Sequence, residues 1–128
     1  MRAVDTNVLV RLITRDDARQ AAAADAFVAP GGWVGHLVLA ETTSVLSTVY
    51  GLTPAAIATA VDMLLNHQHV TIQDAEVVSA ALDNYKQYPR IDFSDCLVVE
   101  IARKAGHLPV GTFERQLAKL DGTQTISR

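Results

Sequence analysis

Four carboxylates stand where the pattern of apolar residues leaves an acid with little to do. Asp5 directly follows Ala3-Val4 at the end of the first β-like segment. Its alternative role is an N-cap for the next helix, which Thr6 could fill as well. Glu41 shares a predicted helix face with Val38, Val45 and Val49, because positions three and four apart lie on one side of a helix. Asp95 heads another helix above Val98 and Ala102, and Glu114 follows Val110-Gly111-Thr112. A carboxylate on a core-facing stripe is costly unless it is paired, protonated or metal-bound. Gathered like charges repel, and a divalent cation is the simplest compensation. An oxygen-only donor set, without Cys or His, favours Mg²⁺ or Mn²⁺ over Zn²⁺. Such an ion polarises a phosphate oxygen and makes hydroxide from bound water. No G-x-x-x-x-G-K-[ST] or G-x-G-x-x-G loop is present to cradle a nucleotide, so phosphodiester hydrolysis is favoured over transfer from ATP.

These acids need elements to hold them. Five β-like segments are expected at Arg2–Asp5, Trp33–Gly35, Val70–Ile72, Val110–Thr112 and Thr125–Ser127. Between them helices are expected over Asn7–Thr14, Asp17–Val28, Leu37–Tyr50, Pro54–Asn66, Ala75–Tyr88 and Ser94–Ala105. Thr53 before Pro54 is an N-cap with proline at the first helical position, Asp74 can cap the next helix, and Gly106 suits a left-handed stop. The alternation predicts an α/β fold: a central, mostly parallel five-stranded sheet with helices on both faces. Sites in such sheets gather at the carboxyl ends of the strands.

The chain of 128 residues fits a single domain, 1–128, and its 49% hydrophobic and 20% charged residues exclude a disordered polymer. No apolar run suits a membrane span, and the opening Met1-Arg2-Ala3-Val4-Asp5 turns polar too soon for a signal peptide. One cysteine, Cys96, excludes an internal disulfide framework, so a cytoplasmic setting is expected. The formal charge of −3 excludes a broadly basic nucleic-acid binder, although bound divalent ions would offset it.

Other residues read more plainly. Asp16, Asp17, Asp25, Asp62, Asp83, Glu100 and Asp121 are expected on solvated faces or as caps. His67-Gln68-His69 closes a helix, His36 and His107 fall in loops, and Cys96 reads as a small buried hydrophobe. Trp33 and Tyr50 read as core or interface aromatics. Among the basic residues, Arg11 and Arg15 share one helix face, and Arg115 and Lys119 share another. Arg11, one turn beyond Asn7, is the best placed for a phosphate.

Taken in order, Asp5-Thr6-Asn7-Val8-Leu9-Val10-Arg11, the helical Glu41, Asp92-Phe93-Ser94-Asp95-Cys96-Leu97 and Gly111-Thr112-Phe113-Glu114-Arg115 resemble the four signature segments of PIN-domain proteins. The similarity is nearest to VapC-type ribonuclease toxins of type II toxin–antitoxin systems, and it runs from residue 3 to about 126. It implies a PIN-like fold and a metal-dependent endoribonuclease. Asp5, Glu41 and Asp95 match its metal ligands, and Glu114 falls where the family has a fourth acid, normally aspartate. The extra methylene shifts that carboxylate, so Glu114 would ligate through water or serve a second ion. Thr6, Asn7 and Thr112 would orient the carboxylates through hydrogen bonds. Asp92 matches a frequent family acid and is also placed to cap the helix from Ser94.

The resemblance further implies Mg²⁺ or Mn²⁺ as cofactor, RNA as substrate, a homodimer, and a cognate antitoxin that pushes a basic segment into the acidic groove; the place of Arg11 on its helix makes it the expected RNA contact. Metal-activated water would attack the phosphodiester in line. Glu114 keeps open a PIN-like module that binds RNA or a protein without cutting. A phospho-acceptor receiver domain is disfavoured, since the first strand ends Asp5-Thr6-Asn7 rather than in adjacent acids and no lysine follows Lys119.

Overall fold

In the computed structural model, which describes residues 1–127, short strands alternate with six α-helices among the described residues, and every strand pairing is parallel. This is the α/β class that the alternation implies. The chain divides into two compact units, residues 1–75 and residues from 76 onward.

The first unit runs β1 (Arg2–Ala3), α1 (Thr6–Thr14), α2 (Ala18–Val28), β2 (Gly32–Val34), α3 (His36–Thr48), α4 (Pro54–Leu65) and β3 (Val70–Ile72). Its sheet has the order β1-β2-β3, with Arg2 opposite Gly32 and Gly32 opposite Val70. The Val4 amide donates to the Trp33 carbonyl at 3.0 Å, so the chain stays extended one residue past β1. Asp5 then leaves the sheet: its Oδ1 accepts from the Thr6 amide at 2.7 Å and starts α1. Asp17 caps α2 by accepting from the Gln20 amide at 3.0 Å. Thr53 accepts from the Ala56 amide at 3.2 Å ahead of Pro54.

Helix α3 is capped from a distance. Gly35 has no side chain to offer, so Gln73 Oε1, after β3, accepts from the His36 amide at 3.0 Å. The His36 Nε2–H donates back to the Gln73 carbonyl at 2.7 Å. Leu9, Leu12, Val28, Val34, Leu39, Leu46, Val61 and Leu64 are buried in this unit, and α1 packs on α2 and α3. A Cβ on Gly32 would come within 3.0 Å of Val28 Cγ1, so β2 approaches α2 this closely because the residue is glycine.

The second unit takes up all but the first residue of α5 (Ala75–Gln87), then α6 (Phe93–Ala105), β4 (Val110–Thr112), a 3₁₀ turn (Leu117–Lys119) and β5 (Thr123–Thr125). Strand β4 pairs with β5, Val110 opposite Thr123. Gly106, at φ 82°, ends α6 in the left-handed conformation expected of it. Val78, Ala81, Phe93, Cys96, Leu97 and Val99 are buried, with the Tyr85 and Phe93 rings 5.8 Å apart.

The sheet departs from expectation. Backbone pairing makes one three-stranded and one two-stranded sheet, not a five-stranded one. Alternation tells strands from helices, but which strands pair is a long-range outcome that short, similar segments do not encode. For the same reason β5 lies at Thr123–Thr125, two residues before the expected Thr125–Ser127.

Candidate active site

In the first unit, Asp5, Thr6, Asn7 and Glu41 line one groove of about 390 Å³, walled on its apolar side by Val10, Val45 and Val49. Asp5 comes from the turn between β1 and α1, and Glu41 from the middle of α3. The Thr6 hydroxyl donates to Glu41 Oε2 at 2.9 Å. Asp5 therefore spends Oδ1 on the helix cap, Glu41 has Oε2 held by Thr6, and each keeps a second oxygen for another partner.

Glu41 does not lie on a core-facing stripe of α3. Glu41 is exposed, and Val49, predicted on the same core-facing stripe, is 73% exposed. The core face of α3 is instead Leu39, Thr42, Thr43 and Leu46. Thr42 and Thr43 donate their hydroxyls back to the carbonyls of Val38 at 2.7 Å and Ala40 at 3.0 Å, so they can be buried cheaply. That frees the valine face to wall the groove beside Glu41.

In the second unit, Asp95 lies within electrostatic reach of Asp92 and Glu114. Burial, then the charges of Asp92 and Glu114, push the Asp95 carboxyl above its usual range. Asp95 is half-buried but not on a core stripe, because Val98 is 48% exposed; the core face is Phe93, Cys96, Leu97 and Glu100. Asp92 occupies the N-cap position of α6 with no side-chain capping bond. Its carbonyl alone takes the amides of Asp95 at 3.0 Å and Cys96 at 3.2 Å, which leaves the carboxylate uncommitted to the helix. Thr112 Oγ1 accepts from the Glu114 amide at 3.0 Å and so fixes the backbone rather than the exposed carboxylate.

The donor chemistry suits a hard cation: the groove of the first unit offers carboxylate, hydroxyl and amide groups without Cys or His, and Asp92, Asp95 and Glu114 of the second offer carboxylates. Mg²⁺ keeps several waters and takes one or two carboxylates, which a pair such as Asp5 and Glu41 can supply. Among the described residues no group of three or more His, Cys, Asp or Glu is gathered into a ready cage. Cys96 is fully buried, and burial pushes its thiol up to about 12, so it is a neutral core side chain rather than a nucleophile. The imidazoles of three histidines are taken up locally: His36 pairs with Gln73, His67 Nδ1 accepts from the His69 amide at 3.1 Å, and His69 Nε2 meets the Gln68 side-chain amide at 2.9 Å.

Two polar arrangements were not legible beforehand. Arg11 is half-buried at the groove and donates to Asp16 Oδ1 at 2.7 Å, to the Tyr50 hydroxyl at 2.9 Å and to Gln20 Oε1. Tyr50, expected as a core or interface aromatic, is thus a polar hub, and its hydroxyl donates on to Asp16 Oδ2 at 3.1 Å. Only the short spacing of Arg11 and Asp16 signalled this; Tyr50 is remote in sequence. Glu100, expected on a solvated face, is buried at 8% exposure and paired with Arg103 at 3.2 Å. Arg15 is likewise occupied, by both oxygens of Asp25 at 3.0 and 2.7 Å. Arg115 and Lys119 are exposed.

No helix among the described residues is long and apolar enough to cross a membrane. No curated protein matches the chain. Among solved structures it is similar to the Mycobacterium tuberculosis toxin VapC20, described as cleaving the sarcin–ricin loop. The two are 20% identical over 93% of this chain and 94% of that one, with a TM-score of 0.44. The PIN-domain family model matches residues 2–123. Because that match runs through both units and all four acid-bearing segments, the chain belongs to the PIN-domain family.

Proposed function

We propose that the protein is an Mg²⁺- or Mn²⁺-dependent endoribonuclease, the toxin of a VapBC-type pair. The observation that carries this reading is the shared groove of Asp5 and Glu41, joined through the Thr6 hydroxyl at 2.9 Å. Two carboxylates from remote segments face one opening, each with a free oxygen, which neither folding nor solubility requires. Asp5, Glu41, Asp95 and Glu114 are the proposed oxygen donors. When bound, the ion supplies Lewis acidity toward a phosphate oxygen and lowers the pKa of water.

The chain's own residues do the positioning. Thr6 turns Glu41 toward the groove, the α1 cap holds the Asp5 carboxylate in place, and Asn7 adds an amide at the groove wall. The proposed products of in-line attack by water are a 3′-hydroxyl and a 5′-phosphate. A cognate antitoxin and a homodimer belong to the same proposal, as does a cytoplasmic setting.

The test is incubation with total bacterial RNA plus Mg²⁺ or Mn²⁺, beside EDTA and Asp5→Asn controls, followed by mapping of the new ends. Discrete cuts lost in both controls support the nuclease. A second reading, a PIN module that binds RNA without cutting, is favoured by one observation: Glu114 stands where the family has aspartate, and Thr112 holds its backbone amide while its side chain is exposed. Binding without cuts, unrestored by Glu114→Asp, selects it.

A further inference from the structure

Arg11 lies at the divide between two openings of the first unit. It lines the acidic groove with Asp5, Asn7 and Glu41, and also a second cleft of about 420 Å³ with Val8, Gln20, Ala24 and Phe27. Its guanidinium is held on three sides. Nε donates to Gln20 Oε1 on α2, while Nη1 donates to Asp16 after α1 and to the Tyr50 hydroxyl beyond α3. Asp16 is fixed in turn by the Thr14 hydroxyl at 2.8 Å and the Tyr50 hydroxyl at 3.1 Å. The Nη2 amino group, with two N–H donors, has no hydrogen-bond partner among the described residues.

An arginine tied by Nε and Nη1 loses most of its side-chain freedom before any ligand arrives. Its remaining donors then meet an anion at little further entropic cost. Asp16 offsets part of the charge, so the group presents an aimed pair of Nη2 donors rather than a long-range attractor.

We propose that Arg11 holds an RNA phosphate next to the one at the acidic groove, and that Tyr50 and Asp16 are the residues that position it. This rests on the nuclease reading for the identity of the anion, though not for its binding. Because the clamp is built from α1, α2 and the segment after α3, it sets where a backbone entering the acidic groove must cross into the second cleft.

The experiment measures binding of a fluorescent single-stranded RNA oligonucleotide by anisotropy, in Mg²⁺, across a salt series. The full chain carries Asp5→Asn throughout, which silences cutting if the chain cuts, and every further variant is compared with that parent. Added Arg11→Gln is expected to weaken binding about 10-fold and to make the slope of log K against log salt shallower by about 0.7, the release expected for one single-strand phosphate contact. Tyr50→Phe is expected to weaken binding about 3-fold with the slope kept, because the charge remains while its aim is loosened. Circular dichroism and thermal midpoints confirm folding of each variant, and Arg11→Lys gives a fold-tolerant version that keeps charge but loses the fixed Nη2 donors. A loss of affinity without a change of slope in Arg11→Gln, binding within twofold of the parent, or no binding by the parent overturns the proposal. Cleavage by the otherwise unaltered chain is scored separately. Cutting with Arg11-independent binding removes the clamp and keeps the nuclease, whereas Arg11-dependent binding without cutting does the reverse.

Discussion

The Thr6 hydroxyl donates to Glu41 Oε2 at 2.9 Å and thereby ties the first residue of α1 to the middle of α3. Thr6 is also the residue whose amide Asp5 caps. One threonine thus links both carboxylates of the groove, through its backbone to Asp5 and through its side chain to Glu41. The acids are set by the same contacts that begin the helix, so their geometry is built in as α1 forms.

Thr6→Val separates the two links, because it keeps the amide and the approximate shape but removes the hydroxyl. Loss of one hydrogen bond to a charged group is worth about 1.5–3 kcal/mol, so turnover is expected to fall roughly 10- to 100-fold if Glu41 must be held for reaction. Thr6→Ser should restore most of it. Steady-state cleavage with mapped RNA ends checks this, and equal rates for the valine and serine variants would show that Glu41 needs no such tether.

Asp5 has two duties that substitution can split. Asparagine caps helices about as well as aspartate, so Asp5→Asn is expected to hold stability within about 0.5 kcal/mol, whereas Asp5→Ala loses about 1 kcal/mol. Both are expected to lose about 100-fold or more in cleavage, since neither offers a carboxylate to a cation. Urea melts beside the cleavage assay read the two duties independently. Full activity in Asp5→Asn would leave Asp5 as a cap and nothing more.

What the sequence made legible was mostly local. Thr53-Pro54, Asp17 and Gly106 mark helix ends because capping depends on residues within one turn, and the structure uses all three. The order of acids along the chain identified Asp5 and Glu41, which the structure brings to one groove. The valine stripe does not bury Glu41, because Thr42 and Thr43 satisfy their own hydroxyls and take the core face. Strand pairing and the Arg11–Tyr50 contact, 39 residues apart, depend on where remote segments land, which no local pattern encodes.

The exposed pair of Arg15 and Asp25 predicts a small acid-side effect. Hydrogen bonds and charge from Arg15 hold the Asp25 carboxyl below its usual 3.8. A carboxyl depressed in the folded state adds stability above its unfolded pKa and loses it as pH falls through the folded one. The contribution is therefore complete at neutral pH and disappears below about pH 4. Asp25→Asn is expected to lower stability slightly at pH 7 and to converge with the parent near pH 2. Denaturant melts at both pH values check this, and a constant gap would assign the loss to something other than the carboxylate.

The buried carboxylate of Glu100 makes a sharper case. Its side chain is 9% exposed, and among the described residues its carboxylate is met only by Arg103, at 3.2 and 3.3 Å. Arg103 also donates to the Asp121 carbonyl at 2.8 Å, so it fastens the end of α6 to the turn before β5. Removing the arginine leaves a carboxylate with little water and no cation, whereas removing the charge from the glutamate leaves a neutral amide that still accepts. Arg103→Ala is accordingly expected to cost about 2–3 kcal/mol and Glu100→Gln about 1 kcal/mol. The double variant should recover part of the loss of Arg103→Ala, because no charge is then stranded. Equilibrium urea unfolding of the four proteins measures that coupling. Strict additivity would mean that water already reaches Glu100 and that the pair behaves as a surface salt bridge.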